Sequence, residues 1–140
     1  MDGELRVLVA AGGTGGHFFP AVAVLEAAEQ KGRVRACFLG RRDRIEGRLA
    51  PALGYEFLRL PLFGFGGWKQ LRSYALPFAI GWSVARLWFH VRAFRPHVVM
   101  TTGAYHGIPA GIVARMCRIP LVVLEVNCLP GRAVRFLAGT

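Results

Sequence analysis

Short runs of consecutive apolar residues alternate with longer stretches of helix-forming residues along this chain. Leu5–Ala11 (LRVLVAA) predicts a buried strand closed by the glycines of Gly12–Gly16. Pro20 then stands where a first helical turn tolerates its missing N–H, and Ala21–Lys31 predicts a helix ending at Gly32. Val34–Leu39 predicts a second strand. Asp43 is placed to cap a helix running to Leu53, with Pro51 bending or shortening it and Gly54 as its stop. Tyr55–Leu60 predicts a third strand. The Gly-rich Phe63–Gly67 precedes a long apolar-aromatic segment from about Leu71 to Phe94. Val98–Thr102 and Leu121–Glu125 predict two further strands, with a helix over Ile108–Cys117 between them, and Arg132–Leu137 begins another helix. There is no internal repeat.

This alternation predicts an α/β fold: an open, Rossmann-like parallel sheet with helices on both faces. Right-handed crossovers gather the loops that follow the strands along one carboxyl edge, where such sheets bind ligands near the reversal of strand order. Three loops are the places to look, namely Gly12–Phe19, Gly103–Pro109 and Val126–Gly131. The 140 residues suffice for one domain and not for two. The chain stops directly after its last helix begins, so it reads as a fragment, with residues 1–140 as a single unit.

The strongest chemical signal is Gly12-Gly13-Thr14-Gly15-Gly16-His17 between a strand and a helix. Glycines admit close backbone approach and expose N–H groups beside a helix N-terminus that favours negative charge, which suits a diphosphate. A tight turn with no ligand needs only one or two glycines. Dinucleotide binding is disfavoured, because G-x-G-x-x-G counted from Gly13 requires glycine where Phe18 stands, and Leu39 is followed by Gly40-Arg41-Arg42 rather than by a ribose-binding acid. No Gly-Lys-Ser/Thr follows either, so a phosphate-loop NTPase is disfavoured too. His17 ends the loop at the ligand edge, placed to take a proton or meet a phosphate oxygen, or merely to close the turn. Gly103–Gly107, with Thr101 and Thr102, offers a second set of backbone and hydroxyl donors; His106 within it stays ambiguous. Glu125 is the only acid in the last eighty-four residues and stands two before Asn127, as a candidate base, a sugar-hydroxyl acceptor, or an ion-pair partner of an arginine.

Charge sharpens the picture of partners. Eighteen Lys+Arg against eight Asp+Glu give a formal +10, and no acid falls between Glu56 and Glu125. That field calls for an anionic partner. Within the acid-free stretch, Trp68, Tyr74, Phe78, Trp82, Trp88, Phe89 and Phe94 interleave with Lys69, Arg72, Arg86, Arg92 and Arg95. Pro77, Gly81 and Arg86 argue against a membrane span, whereas the mixture of aromatics and cations suits a helix lying on an anionic membrane surface. A helix packed on the sheet is the competing reading. No nucleic-acid module accompanies the basic residues, so nucleic acid is not expected as a partner. Cys37, Cys117 and Cys128 are odd in number and set in apolar surroundings, as buried free thiols of a reducing compartment would be. The N-terminus lacks the layout of a signal peptide.

With those residues set out, the chain resembles the N-terminal domain of the MurG family of bacterial glycosyltransferases over nearly all of residues 5–138. Gly12–His17 followed by Pro20 is like that family's G-G-T-G-G-H-x-x-P, and Gly103–Gly107 resembles its G-G-Y-x-S-G. Ile119-Pro120 through Leu124-Glu125-Val126-Asn127 resembles I-P…H-E-Q-N, and Arg135–Ala138 resembles N-[KR]-x-L-A. The chain departs from the family pattern at Thr102-Gly103-Ala104, where tandem glycines are usual. It departs again at His106, where a small or aliphatic residue is usual, and at Leu124 and Val126, which replace His and Gln.

The resemblance implies one half of a GT-B glycosyltransferase of peptidoglycan synthesis, which moves GlcNAc with inversion from UDP-GlcNAc to undecaprenyl-diphosphate-linked MurNAc-pentapeptide. It implies no cofactor and no essential metal. His17 and Glu125 match the candidates for the base. Gly13, Thr14, Gly15, Gly16, Gly103, Tyr105, His106 and Asn127 fall at substrate-binding positions; Thr14, Gly15, Gly16 and Asn127 also match positions that touch the donor. The family's membrane-facing patch falls on Trp68–Arg95, with Trp68, Lys69, Arg72, Phe78, Trp82, Arg86 and Trp88 as contacts, at the cytoplasmic face of the bacterial membrane. The donor domain, in cis or in trans, lies outside this sequence, so the chain alone is expected to be inactive. The alternative is a peripheral membrane or partner-binding module that has lost catalysis.

Overall fold

The strands alternate in the direction their side chains face, and both faces are apolar. In β1 (Leu5–Ala10), Val7 and Val9 enter one core layer while Leu8 and Ala10 enter the other. In β2 (Val34–Gly40), Ala36 and Phe38 join the first layer and Cys37 and Leu39 the second. A strand buried on both faces is the signature of a parallel sheet covered by helices. The computed structural model describes residues 3–61, 75–103, 106–127 and 132–139. It completes the sheet with β3 (Glu56–Arg59), β4 (Val98–Thr101) and β5 (Leu121–Val123). All pairings are parallel, in the order β3-β2-β1-β4-β5.

The helices are α1 (Gly15–Glu29), α2 (Ile45–Ala52), α3 (Leu76–Phe94), α4 (Gly107–Met116) and α5 (Arg132–Ala138). Phe18, Ala21, Val22 and Leu25 of α1 and Ala50 of α2 cover one face; Leu87, Val91 and Phe94 of α3 and Ala110, Val113 and Ala114 of α4 cover the other. The strand order runs outward from β1 in both directions, so the switch point lies between β1 and β4. The loops after these two strands meet there, with Thr102 N–H donating to Ala10 O at 3.4 Å.

Three local expectations are corrected. Helix α1 starts at Gly15, so half of the expected glycine loop is helix and Pro20 lies inside it rather than in its first turn. The start is set by the Thr14 carbonyl, which accepts N–H from both His17 (3.2 Å) and Phe18 (3.1 Å). Asp43 does not cap α2, whose N-cap is Arg44. Its carboxylate instead takes a two-bond clamp from Arg41, at 2.9 and 2.6 Å, and that guanidinium holds the carboxyl below its ordinary range. Strand β5 ends at Val123, so Glu125 stands in the loop beyond it. Gly54, at φ 86°, ends α2's turn as expected.

Candidate functional site

The site forms where the loops after β1 and β4 meet. His17 lies in the first turn of α1, and its Nδ1 is 2.8 Å from the Thr102 carbonyl oxygen. A carbonyl only accepts, so in the neutral ring Nδ1 carries the hydrogen and Nε2 keeps its lone pair. The half-buried imidazole is therefore fixed in tautomer and in direction by the second loop. Beside it, Gly15 and Gly16 are the first residues of α1, and their N–H groups have no partner within the helix. Thr14 is exposed at the N-cap and its side chain makes no capping bond.

The residue that sequence reasoning missed is Glu46, in the first turn of α2 and fully buried. Its Oε2 accepts the Gly13 N–H at 2.8 Å and its Oε1 accepts the Arg41 N–H at 3.1 Å. A Cβ on Gly12 or on Gly40 would overlap this carboxylate. Gly12 therefore makes room for a buried acid, and the Gly13 N–H is committed to it rather than to the ligand edge. Gly13 has φ 86°, a conformation that favours glycine. An acid in a helix's first turn is ordinary, so the sequence carries no signal that sets Glu46 apart.

His106 is buried, with Nε2 3.9 Å from Glu46 Oε1, and neither ring nitrogen makes a hydrogen bond among the described residues. Burial pushes its imidazole below the ordinary histidine range, opposed by the Glu46 carboxylate. Gly103 has φ 79°, and its N–H donates to Thr101 Oγ1, which itself donates to Ala10 O. Tyr105 lies outside the described residues.

Glu125 and Asn127 form a local turn. Glu125 Oε1 accepts the Asn127 backbone N–H at 2.8 Å and its side-chain amide at 3.2 Å. With β4 between them, the end of β5 stands two strand spacings from β1, about 10 Å. His17 thus meets the second loop directly, whereas Glu125 belongs to the third.

Helix α3 carries an exposed stripe of Phe78, Trp82 and Phe89, which are 81%, 66% and 69% exposed, with Arg86 also at the surface. Trp88 is different: it packs against the sheet core, and the Arg92 guanidinium lies 4.2 Å over its ring. Trp68, Lys69 and Arg72 lie outside the described residues. Cys37 is buried and Cys117 half-buried, both free; Cys128 lies outside the described residues. Burial pushes the Cys37 thiol up to about 12, which removes it as a nucleophile.

A parallel sheet with this strand order and two glycine-bearing loops meeting at its switch point is a Rossmann-like fold, and likeness to known proteins makes it one half of a GT-B glycosyltransferase. The chain belongs to the glycosyltransferase family 28 N-terminal domain, which it matches over residues 7–140. It is 40% identical over 139 residues to a Shewanella loihica protein named UDP-N-acetylglucosamine--N-acetylmuramyl-(pentapeptide) pyrophosphoryl-undecaprenol N-acetylglucosamine transferase, covering 99% of this chain and 38% of that protein. A Bordetella parapertussis protein of the same name is 40% identical over 132 residues, covering 94% of this chain and 37% of that protein. The chain therefore spans well under half the length of these curated relatives. Among solved structures, Acinetobacter baumannii MurG superposes with a TM-score of 0.82 at 28% identity, covering 96% of this chain and 39% of that one. A Phytolacca americana UGT2, solved with UDP-2fluoro-glucose and pterostilbene, shares the fold alone: TM-score 0.58 at 13% identity, covering 88% of this chain and 31% of that one.

Proposed function

We propose that this chain is the acceptor-handling half of an inverting glycosyltransferase that moves GlcNAc from UDP-GlcNAc onto undecaprenyl-diphosphate-linked MurNAc-pentapeptide. The observation that carries this reading is the bond from His17 Nδ1 to the Thr102 carbonyl, which presents Nε2 as an acceptor at the switch point beside the open N-terminus of α1. In the reaction, Nε2 takes the proton of the acceptor's sugar hydroxyl. The hydroxyl oxygen then bonds to the anomeric carbon from the face opposite UDP, and UDP departs with the electron pair of the broken bond. The Gly15 and Gly16 N–H groups and the positive end of α1 hold the acceptor's diphosphate. The names of the relatives support the same substrates.

A fusion of residues 1–140 to the remainder of the Shewanella loihica relative tests this reading. The fusion is expected to transfer radiolabelled GlcNAc to the lipid-linked acceptor, and the 140-residue chain to give none. A folded fusion without turnover overturns the enzymatic reading, and robust transfer by the chain alone overturns its two-part form.

The same reading places the protein peripherally on an anionic membrane surface. No helix among the described residues is long and apolar enough to cross a membrane. The Phe78–Trp82–Phe89 stripe with Arg86 suits insertion to the depth of the headgroups. Changing Phe78 and Trp82 together to serine is expected to weaken sedimentation with phosphatidylglycerol vesicles by at least about tenfold, since each buried aromatic contributes about 1.5–3 kcal/mol. Unchanged co-sedimentation removes α3 from the membrane contact.

A further inference from the structure

Glu46 takes no part in the reaction proposed above, yet three loops of the ligand edge converge on its carboxylate. Its backbone belongs to α2, after β2, where its Oε1 accepts the Arg41 N–H at 3.1 Å. Its Oε2 reaches the loop after β1 and accepts the Gly13 N–H at 2.8 Å. From the loop after β4, His106 brings Nε2 to 3.9 Å from Oε1, and that ring is itself buried without a hydrogen bond among the described residues. Gly12 and Gly40 lack the Cβ atoms that would overlap the carboxylate. A wholly buried acid beside an anion site needs compensation, and the two backbone donors and the N-terminus of α2 supply it.

We infer that Glu46 is a positioning residue for phosphate recognition. By holding the Gly13 N–H inward, it fixes the turn at Gly13 and leaves the N–H groups of Gly15 and Gly16 facing the ligand edge. A segment with glycine at four of five positions has many competing conformations, and one that must be frozen when the ligand arrives binds more weakly than one frozen beforehand. The anchor supplies that order in the absence of ligand. This role rests on the diphosphate reading above.

Amide NMR on the 140-residue chain, with inorganic pyrophosphate as probe, tests the inference. In the wild-type chain the Gly13 amide is expected to exchange slowly with solvent, and pyrophosphate to shift the Gly15 and Gly16 amides. Glu46→Gln keeps the shape and loses one acceptor. It is expected to speed Gly13 exchange and to weaken pyrophosphate binding about ten- to a hundredfold, as loss of a hydrogen bond to a charged group does. In the fusion enzyme the same variant raises the KM for the lipid-linked acceptor more than it lowers kcat. Where Glu46→Gln does not fold, Gly12→Ala, which drives the carboxylate away from Gly13 and keeps its charge, takes its place with the same expected outcome. Fast Gly13 exchange in the wild-type chain, or pyrophosphate binding that survives Glu46→Gln unchanged, overturns the role of Glu46. A wild-type chain with no pyrophosphate response instead overturns the diphosphate reading, and this role with it.

Discussion

Replacing His17 by alanine in the fusion enzyme is expected to lower kcat by about 10²–10⁴, the range over which a positioned base contributes. The KM for the acceptor should change little. The reasoning is geometric. Nδ1 is held by the Thr102 carbonyl at 2.8 Å, and since that carbonyl only accepts, the neutral ring offers Nε2 as its acceptor. The ring is half-buried and the backbone at position 17 is already helical, so alanine there costs mainly the bond to the Thr102 carbonyl, about 0.5–1.5 kcal/mol, and the thermal midpoint is expected to fall by only a few degrees. A large fall in rate with only a small fall in stability separates a chemical role from a structural one. Partial recovery of rate on adding free imidazole would place the lost group in proton transfer. Unchanged turnover removes His17 and passes the role to Glu125, whose Oε1 is already engaged by Asn127.

What the sequence discloses about this molecule is what local chemistry determines. The runs of apolar residues in β1 and β2 revealed strands buried on both faces, and from the β–α alternation followed the parallel sheet and its ligand edge. The beginning of α1 was not legible, because Gly15 and Gly16 read as loop while the fold uses them as helix beneath the Thr14 carbonyl. Asp43 has the composition of a cap, but Arg41 two residues earlier outcompetes the helix for its carboxylate. In α3 the composition told of aromatics and cations without telling which face each occupies: Trp82 stands in solvent and Trp88 against the core. Glu46 lay furthest out of reach. Its burial depends on Gly12, distant from it in sequence, as well as on the nearby Gly40, and its bond to the Gly13 N–H forms only once β1 and β2 lie side by side.

The residue after His17 carries the largest expected effect on stability. Phe18 is fully buried, with its ring centroid 5.6 Å from that of Phe19 and 5.2 Å from that of Phe38 on β2. Consecutive helical residues face different directions, so the first turn of α1 presents an imidazole to the second loop and a phenyl ring to the core. Phe18→Ala removes a ring that the surrounding β-sheet cannot collapse to replace, at a cost of about 3–5 kcal/mol. Against a typical total of about 5–15 kcal/mol, that is a large share. For a chain of this length, the thermal midpoint should fall by about 10–20 °C, read by circular dichroism. A fall of only a few degrees would mean that α1 repacks and that Phe18 does not fasten the glycine turn to the sheet. The paired variants then discriminate between the two sides of one helical turn. His17→Ala loses rate and little of its midpoint. Phe18→Ala loses its midpoint and, at temperatures where it is still folded, loses rate only as far as a loosened first turn misplaces the imidazole.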